Sequence, residues 1–129
     1  MEEVPPAAVL CGTRILIVED ESVLAMDLAD RLAREGCNVI GPAPREAKAL
    51  DLVARDSPDA VVLDLNLDGK LPIGLAKTLI ARQIPFVIVT GYGKRHFDVP
   101  ALQEAPRLQK PIDMPELVRA LSNLIRPAA

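Results

Sequence analysis

Ala60-Val61-Val62-Leu63-Asp64-Leu65-Asn66-Leu67 is the stretch on which the fold turns. Four apolar residues run without alternation and stop at an acid. A strand that is apolar on both faces belongs inside a parallel sheet covered by helices on each side. The same form appears upstream in Ile15-Leu16-Ile17-Val18, which ends in Glu19-Asp20-Glu21, and downstream in Phe86-Val87-Ile88-Val89, which ends in Thr90-Gly91. Weaker strand signals fall at Asn38-Val39-Ile40 and around Arg107-Leu108-Gln109.

Helical periods fill the intervals. Leu24, Leu28 and Leu32 recur every fourth residue, and Gly36 follows as a C-terminal stop. Pro44 is placed to open a second helix that turns Ala47, Leu50 and Ala54 inward. Leu75, Ala76, Leu79 and Ile80 mark a third. Asp113 and Glu116 form a capping box ahead of Leu117, Leu121, Leu124 and Ile125. Between Gly93 and Ala105 the spacing is irregular and Pro100 interrupts it, so a short or mobile fourth helix is expected there. Residues 1–12, with Pro5-Pro6 followed by small side chains, read as a flexible leader, and 13–127 as one domain. Strands alternating with helices predict an α/β fold, a doubly wound five-stranded parallel sheet of flavodoxin-like order 2-1-3-4-5.

Composition narrows the function. Half of the 129 residues are hydrophobic, yet aromatics make up only 2% and Trp is absent, so stacked-ring sites for flavin or single-stranded nucleic acid are disfavoured. A net charge of −3 with no basic stripe argues against direct nucleic-acid binding. Cys11 and Cys37 form no CxxC pair, and His96 is the single histidine, which disfavours zinc. The N-terminus is acidic where a signal peptide is basic, and no apolar run reaches membrane-spanning length. The expectation is a cytoplasmic protein that does not engage a membrane.

In a doubly wound sheet the ligand site lies at the carboxyl ends of the strands. Those ends carry Glu19 and Asp20, then Asp64, then Thr90-Gly91, then Lys110-Pro111. Three carboxylates brought together resist ionisation, and a hard divalent cation removes the conflict. Mg²⁺ is the expected cofactor. With the cation in place Asp64 becomes a nucleophile toward phosphorus, and Lys110 and the Thr90 hydroxyl meet the charge on the phosphoryl oxygens.

These pieces resemble the receiver domains of two-component response regulators. The matching residues are Ile17-Val18-Glu19-Asp20-Glu21, Val62-Leu63-Asp64-Leu65-Asn66-Leu67, Val89-Thr90-Gly91 and Gln109-Lys110-Pro111, in the family's order and spacing. The resemblance implies that Asp64 is the phosphorylation site. It implies that Asp20 binds Mg²⁺ directly and Glu19 directly or through water, with Asp64 and the Asn66 carbonyl completing the site, that Thr90 and Lys110 contact the phosphoryl group, and that the Lys110–Pro111 bond is cis, as it often is in the family. The donor would be a sensor histidine kinase or a histidine phosphotransfer protein, and the output a contact with a downstream protein. The chain reaches Ala129 soon after its last helix, so a stand-alone module without an output domain is expected.

One position departs from the family pattern. Arg107 stands where receivers carry an aromatic switch residue, three before the lysine. Phe86 and Thr90-Gly91-Tyr92, with Asn66-Leu67-Asp68-Gly69-Lys70, are similar to an F-x-T-G-x-Y subgroup associated with HWE/HisKA2-type kinases. The resemblance to that subgroup points to Tyr92 as sharing the switch, and Arg107 should be partly exposed. Other classes fit less well. A haloacid-dehalogenase-type phosphatase needs a second acid where Asn66 stands. A flavodoxin-like electron carrier needs a phosphate loop where Glu19-Asp20-Glu21 stand. A degenerate receiver, binding partners without phosphorylation, would not need a complete acceptor set. The expected role is phospho-acceptor signalling rather than enzymatic turnover.

Overall fold

The computed structural model describes residues 5–91 and 100–125. Strands β1 (Arg14–Val18), β2 (Asn38–Ala43), β3 (Ala60–Asp64), β4 (Phe86–Thr90) and β5 (Arg107–Gln109) form one sheet in the order β2-β1-β3-β4-β5. All four pairings are parallel. The predicted topology is the observed one. β3 sits at the centre with every residue buried, as its unbroken apolar run demands.

Successive side chains of a strand point to opposite faces, and the core splits accordingly. Leu16, Val61, Leu63 and Ile88 join one apolar cluster, with α3 (Glu46–Asp56) and α4 (Ile73–Ala81) supplying Ala49, Leu52, Val53, Leu75 and Leu79. Ile15, Ile17, Val62, Val87 and Leu108 join the other, with Leu28 and Leu32 of α2 (Ser22–Arg34) and Leu117 and Leu121 of α6 (Met114–Ile125). The short α5 (Pro100–Glu104) places Leu102 in the first cluster.

Gly36 ends α2 as expected. Its φ is +92°, Gly36 N donates to Ala33 O at 3.0 Å and Cys37 N donates to Leu32 O at 3.1 Å, the two bonds of a Schellman cap. A Cβ there would also press Cys11 Sγ at 3.2 Å.

Three expectations need correction. The inward face of α3 is not Ala47, Leu50 and Ala54. Ala47 and Ala54 are exposed and Leu50 is half-buried, while Ala49, Leu52 and Val53 are buried. Both triplets have helical spacing, but burying Leu52 and Val53 removes more apolar area from water than burying two alanines. The helix also begins at Glu46 rather than Pro44. The second half of the supposed flexible leader is ordered: residues Pro6–Leu10 form α1, with proline in its first turn. Leu10 is fully buried in the cluster beside Leu117 and Leu121, which docks α1 on α6. Thr13 closes the turn, its hydroxyl donating to Leu10 O at 2.6 Å.

Candidate functional site

The strand ends converge on one rim. Glu19 follows β1, and its backbone amide donates to Ala43 O at 3.0 Å, which holds it in line with β2. Asp64 is the last residue of β3, and Leu65 N continues the ladder to Val89 O at 3.2 Å. Lys110 N donates to Thr90 O at 2.9 Å, so the lysine is set directly beside the end of β4. The Lys110–Pro111 peptide is cis, as the resemblance implied.

Glu19, Asp20 and Asp64 form a cluster in which one carboxylate oxygen of each lies within 4.8 Å of the others. Glu19 and Asp64 are each only 3% exposed, whereas Asp20 stands in solvent. Lys110 bridges the two buried acids, with Nζ 3.0 Å from Glu19 Oε1 and 3.3 Å from Asp64 Oδ2. Each acid also receives a backbone amide: Glu21 N on Glu19 Oε2 at 3.0 Å, Asn66 N on Asp64 Oδ1 at 3.0 Å and Asp68 N on Asp20 Oδ2 at 2.9 Å.

The electrostatics follow from that arrangement. Burial pushes the Glu19 carboxyl up to about 7; the Glu21 amide and Lys110 oppose the shift and neighbouring Asp64 adds to it. The Asp68 amide holds Asp20 below the usual aspartate range. Burial works against the Lys110 charge, but its hydrogen bond to Glu19 and the nearby Asp64 carboxylate win, and its pKa is raised. Among the described residues no buried side-chain polar atom lacks a partner.

An open cleft of about 310 Å³ lies above Asp64, lined by Asp20, Glu21, Asp64, Asn66, Gly91 and Lys110. A Cβ on Gly91 would meet Lys110 Cδ at 3.9 Å, an ordinary contact, so glycine there leaves space that the chain itself does not require. Thr90 is half-buried at the end of β4. Of the expected site residues, Glu19, Asp20, Asp64, Asn66, Thr90 and Lys110 therefore gather at one rim. Arg107 is half-buried at the start of β5, paired in register with Ile88, in keeping with partial exposure. Tyr92 and His96 lie outside the described residues.

The donor set is all oxygen, two of the acids are buried, and a cation, the Lys110 ammonium, already sits between them. Such a set suits a hard divalent ion of the Mg²⁺ type. Sequence reasoning missed the Asp68 amide, which comes from a turn that only the fold brings to Asp20. The Asp68-Gly69 dipeptide is a turn signal, but it does not say what the turn holds.

A family model described as the response regulator receiver domain matches residues 15–122. The chain belongs to this family, whose members act in two-component signal transduction. The receiver is 31% identical over 111 residues to the transcriptional regulatory protein PdtaR of Mycobacterium tuberculosis, covering 84% of this chain and 54% of that protein. It is 29% identical over 124 residues to sporulation initiation phosphotransferase F of Bacillus subtilis, covering 90% of this chain and 96% of that one. The solution structure of the receiver domain of PhyR from Erythrobacter litoralis superimposes with a TM-score of 0.78 at 25% identity, covering 92% of this chain and 97% of that one. The receiver spans about half the length of the first curated relatives it matches. No helix among the described residues is long and apolar enough to cross a membrane.

Proposed function

We propose that this receiver accepts a phosphoryl group on Asp64 from a phosphohistidine of a sensor kinase or a histidine phosphotransfer protein. The observation that carries the reading is the state of Asp64. It is buried at the floor of an open cleft, one oxygen fixed by the Asn66 amide and the other 3.3 Å from the Lys110 ammonium. A carboxylate so held meets phosphorus with little freedom to lose.

In the transfer an Asp64 oxygen forms the new O–P bond as the donor's N–P bond breaks. The imidazole leaves with that electron pair. Lys110 moves its charge onto the phosphoryl oxygens, and the Thr90 hydroxyl donates to one of them. Glu19, Asp20, Asp64 and the Asn66 carbonyl would hold Mg²⁺, which when bound supplies positive charge against the crowded acids and the incoming group. The added phosphoryl charge then biases the surface formed by α5, β5 and α6, with Arg107 in place of the usual aromatic switch residue and Tyr92 sharing the switch.

A second groove of about 340 Å³ between α2 and the start of α6, lined by Leu24, Leu28, Ile112 and Met114, shares Lys110 with the acceptor cleft and supports the docking of a donor protein beside Asp64. The likeness to sporulation initiation phosphotransferase F supports a role in phosphoryl transfer whose output is a contact with a downstream protein. The partial F-x-T-G-x-Y pattern supports an HWE/HisKA2-type kinase as donor. The role is that of a phospho-acceptor and not of a turnover enzyme.

Incubation with acetyl phosphate, read by intact mass, tests the reading. One phosphate should be gained only with Mg²⁺ present, and Asp64→Asn should gain none while keeping its fold. Labelling of Asp64→Asn would sink the acceptor assignment. No labelling of the natural protein by acetyl phosphate or by a phosphorylated histidine donor would favour a phosphorylation-independent binding module.

A further inference from the structure

Two of the three clustered acids are held by their own strands. The amide on Glu19 is that of Glu21 and the amide on Asp64 is that of Asn66, each two residues along the chain, so both bonds are local to the end of their strand. Asp20 is different. Its side chain is exposed, and the amide that fixes it comes from Asp68, 48 residues away.

That amide is presented by a small hairpin. Leu67 N donates to Lys70 O and Lys70 N to Leu67 O, both at 2.9 Å. Asp68 and Gly69 have φ of +53° and +77°, two successive left-handed residues, as in the type I′ turns that favour Asp-Gly. Leu65 and Leu67 are buried and Asn66 and Asp68 exposed. The leucines thus anchor the segment in the core while the amides of Asn66 and Asp68 donate to Asp64 and Asp20 in turn.

We propose that the 67–70 hairpin is a positioning element for the cation site, holding the Asp20 carboxylate against Glu19 and Asp64 through the Asp68 amide. The proposal rests on the reading of these acids as a Mg²⁺ site. Without the hairpin an exposed Asp20 side chain is free to rotate away, and the cation must order it on binding. Partners that orient metal ligands in this way commonly govern affinity by tenfold or more.

Gly69 gives the test, because a Cβ there would meet nothing within 4 Å and only its φ responds to substitution. Val is strongly disfavoured in the left-handed region and Asn tolerates it. Mg²⁺ is titrated calorimetrically into the full chain and its Gly69→Val, Gly69→Asn and Asp20→Ala variants, and into Gly69→Val combined with Asp20→Ala. Gly69→Val should bind Mg²⁺ about tenfold more weakly, Gly69→Asn should lose little, and Gly69→Val should add no loss once Asp20 is alanine. If Gly69→Val gives no cooperative melt, Gly69→Ala takes its place under the same criteria. A folded Gly69→Val that binds Mg²⁺ as the natural protein does, or a loss that persists in the Asp20→Ala background, overturns the hairpin's role alone. Absence of Mg²⁺ binding by the natural protein overturns the cation-site reading and the hairpin's role together.

Discussion

Glu19 is an acid buried beside another acid, with Lys110 as its counter-charge. Burial raises its pKa from 4.5 to about 7. The neutral form is therefore the one the fold favours. The stability it contributes is fully present below pH 4.5 and is lost as pH rises through about 7. Asp20, whose pKa is lowered by the Asp68 amide, acts in the opposite sense and only in acid, where its contribution disappears as pH falls through its folded value. Melting curves of the metal-free protein at about pH 5.5 and about pH 8 should show lower stability at the higher value, and Glu19→Gln should flatten that difference. Mg²⁺ should raise the melting temperature more at the higher pH, because the proposed cation site uses the ionised Glu19 carboxylate. An equal Mg²⁺ effect at both values would mean that Glu19 is not a ligand.

The packing of α4 rests on a residue from another helix. Its N-cap, Pro72, makes no side-chain hydrogen bond. Glu46, in the first turn of α3, instead accepts from Leu75 N at 2.9 Å and so satisfies one of the orphan amides of α4. The same carboxylate faces the positive ends of two helix dipoles. Gly74 gives it room, since a Cβ there would lie 3.3 Å from Glu46 Oε2. Glu46→Ala should therefore lower stability by about 1 kcal/mol, in the range of a lost N-cap, and Glu46→Gln, which keeps an acceptor, should lose less. Urea denaturation of the three proteins distinguishes them, and equal midpoints would refute the cross-helix cap. The sheet was legible in the sequence because β1, β3 and β4 are each built on an unbroken apolar run, with weaker signals at the edge strands β2 and β5. The face of α3 was not, because two triplets with helical spacing competed and the sheet accepted the bulkier one.

Across the whole molecule the sheet separates two apolar clusters, and every expected site residue among the described residues other than Arg107 lies at the carboxyl edge between them. At the opposite end α1 docks on α6 through Leu10, which is fully buried. Leu10→Ala should destabilise the protein by about 2–5 kcal/mol, the usual range for emptying a buried leucine site. Acetyl phosphate labelling at Asp64 should survive wherever the variant remains folded, because the cleft lies at the far end of β1. An unchanged unfolding midpoint would mean that α1 adds nothing to the core.

The sequence by itself determined the sheet, its order and which side chains stand at its rim. Short apolar runs leave few ways to be buried, and the residues that end them are placed by the topology. It also marked Glu19, Asp20, Asp64, Thr90 and Lys110, since they stand at the carboxyl ends of β1, β3, β4 and β5. Only the tertiary structure decided which contacts hold those groups. Lys110 bridging Glu19 and Asp64, Asp68 reaching Asp20 across 48 residues, Glu46 capping α4 and Leu10 filling the space beside α6 are all pairings between distant segments. Local periodicity records which residues want burial or a partner. Which partner each one finds depends on how the packed layers come together.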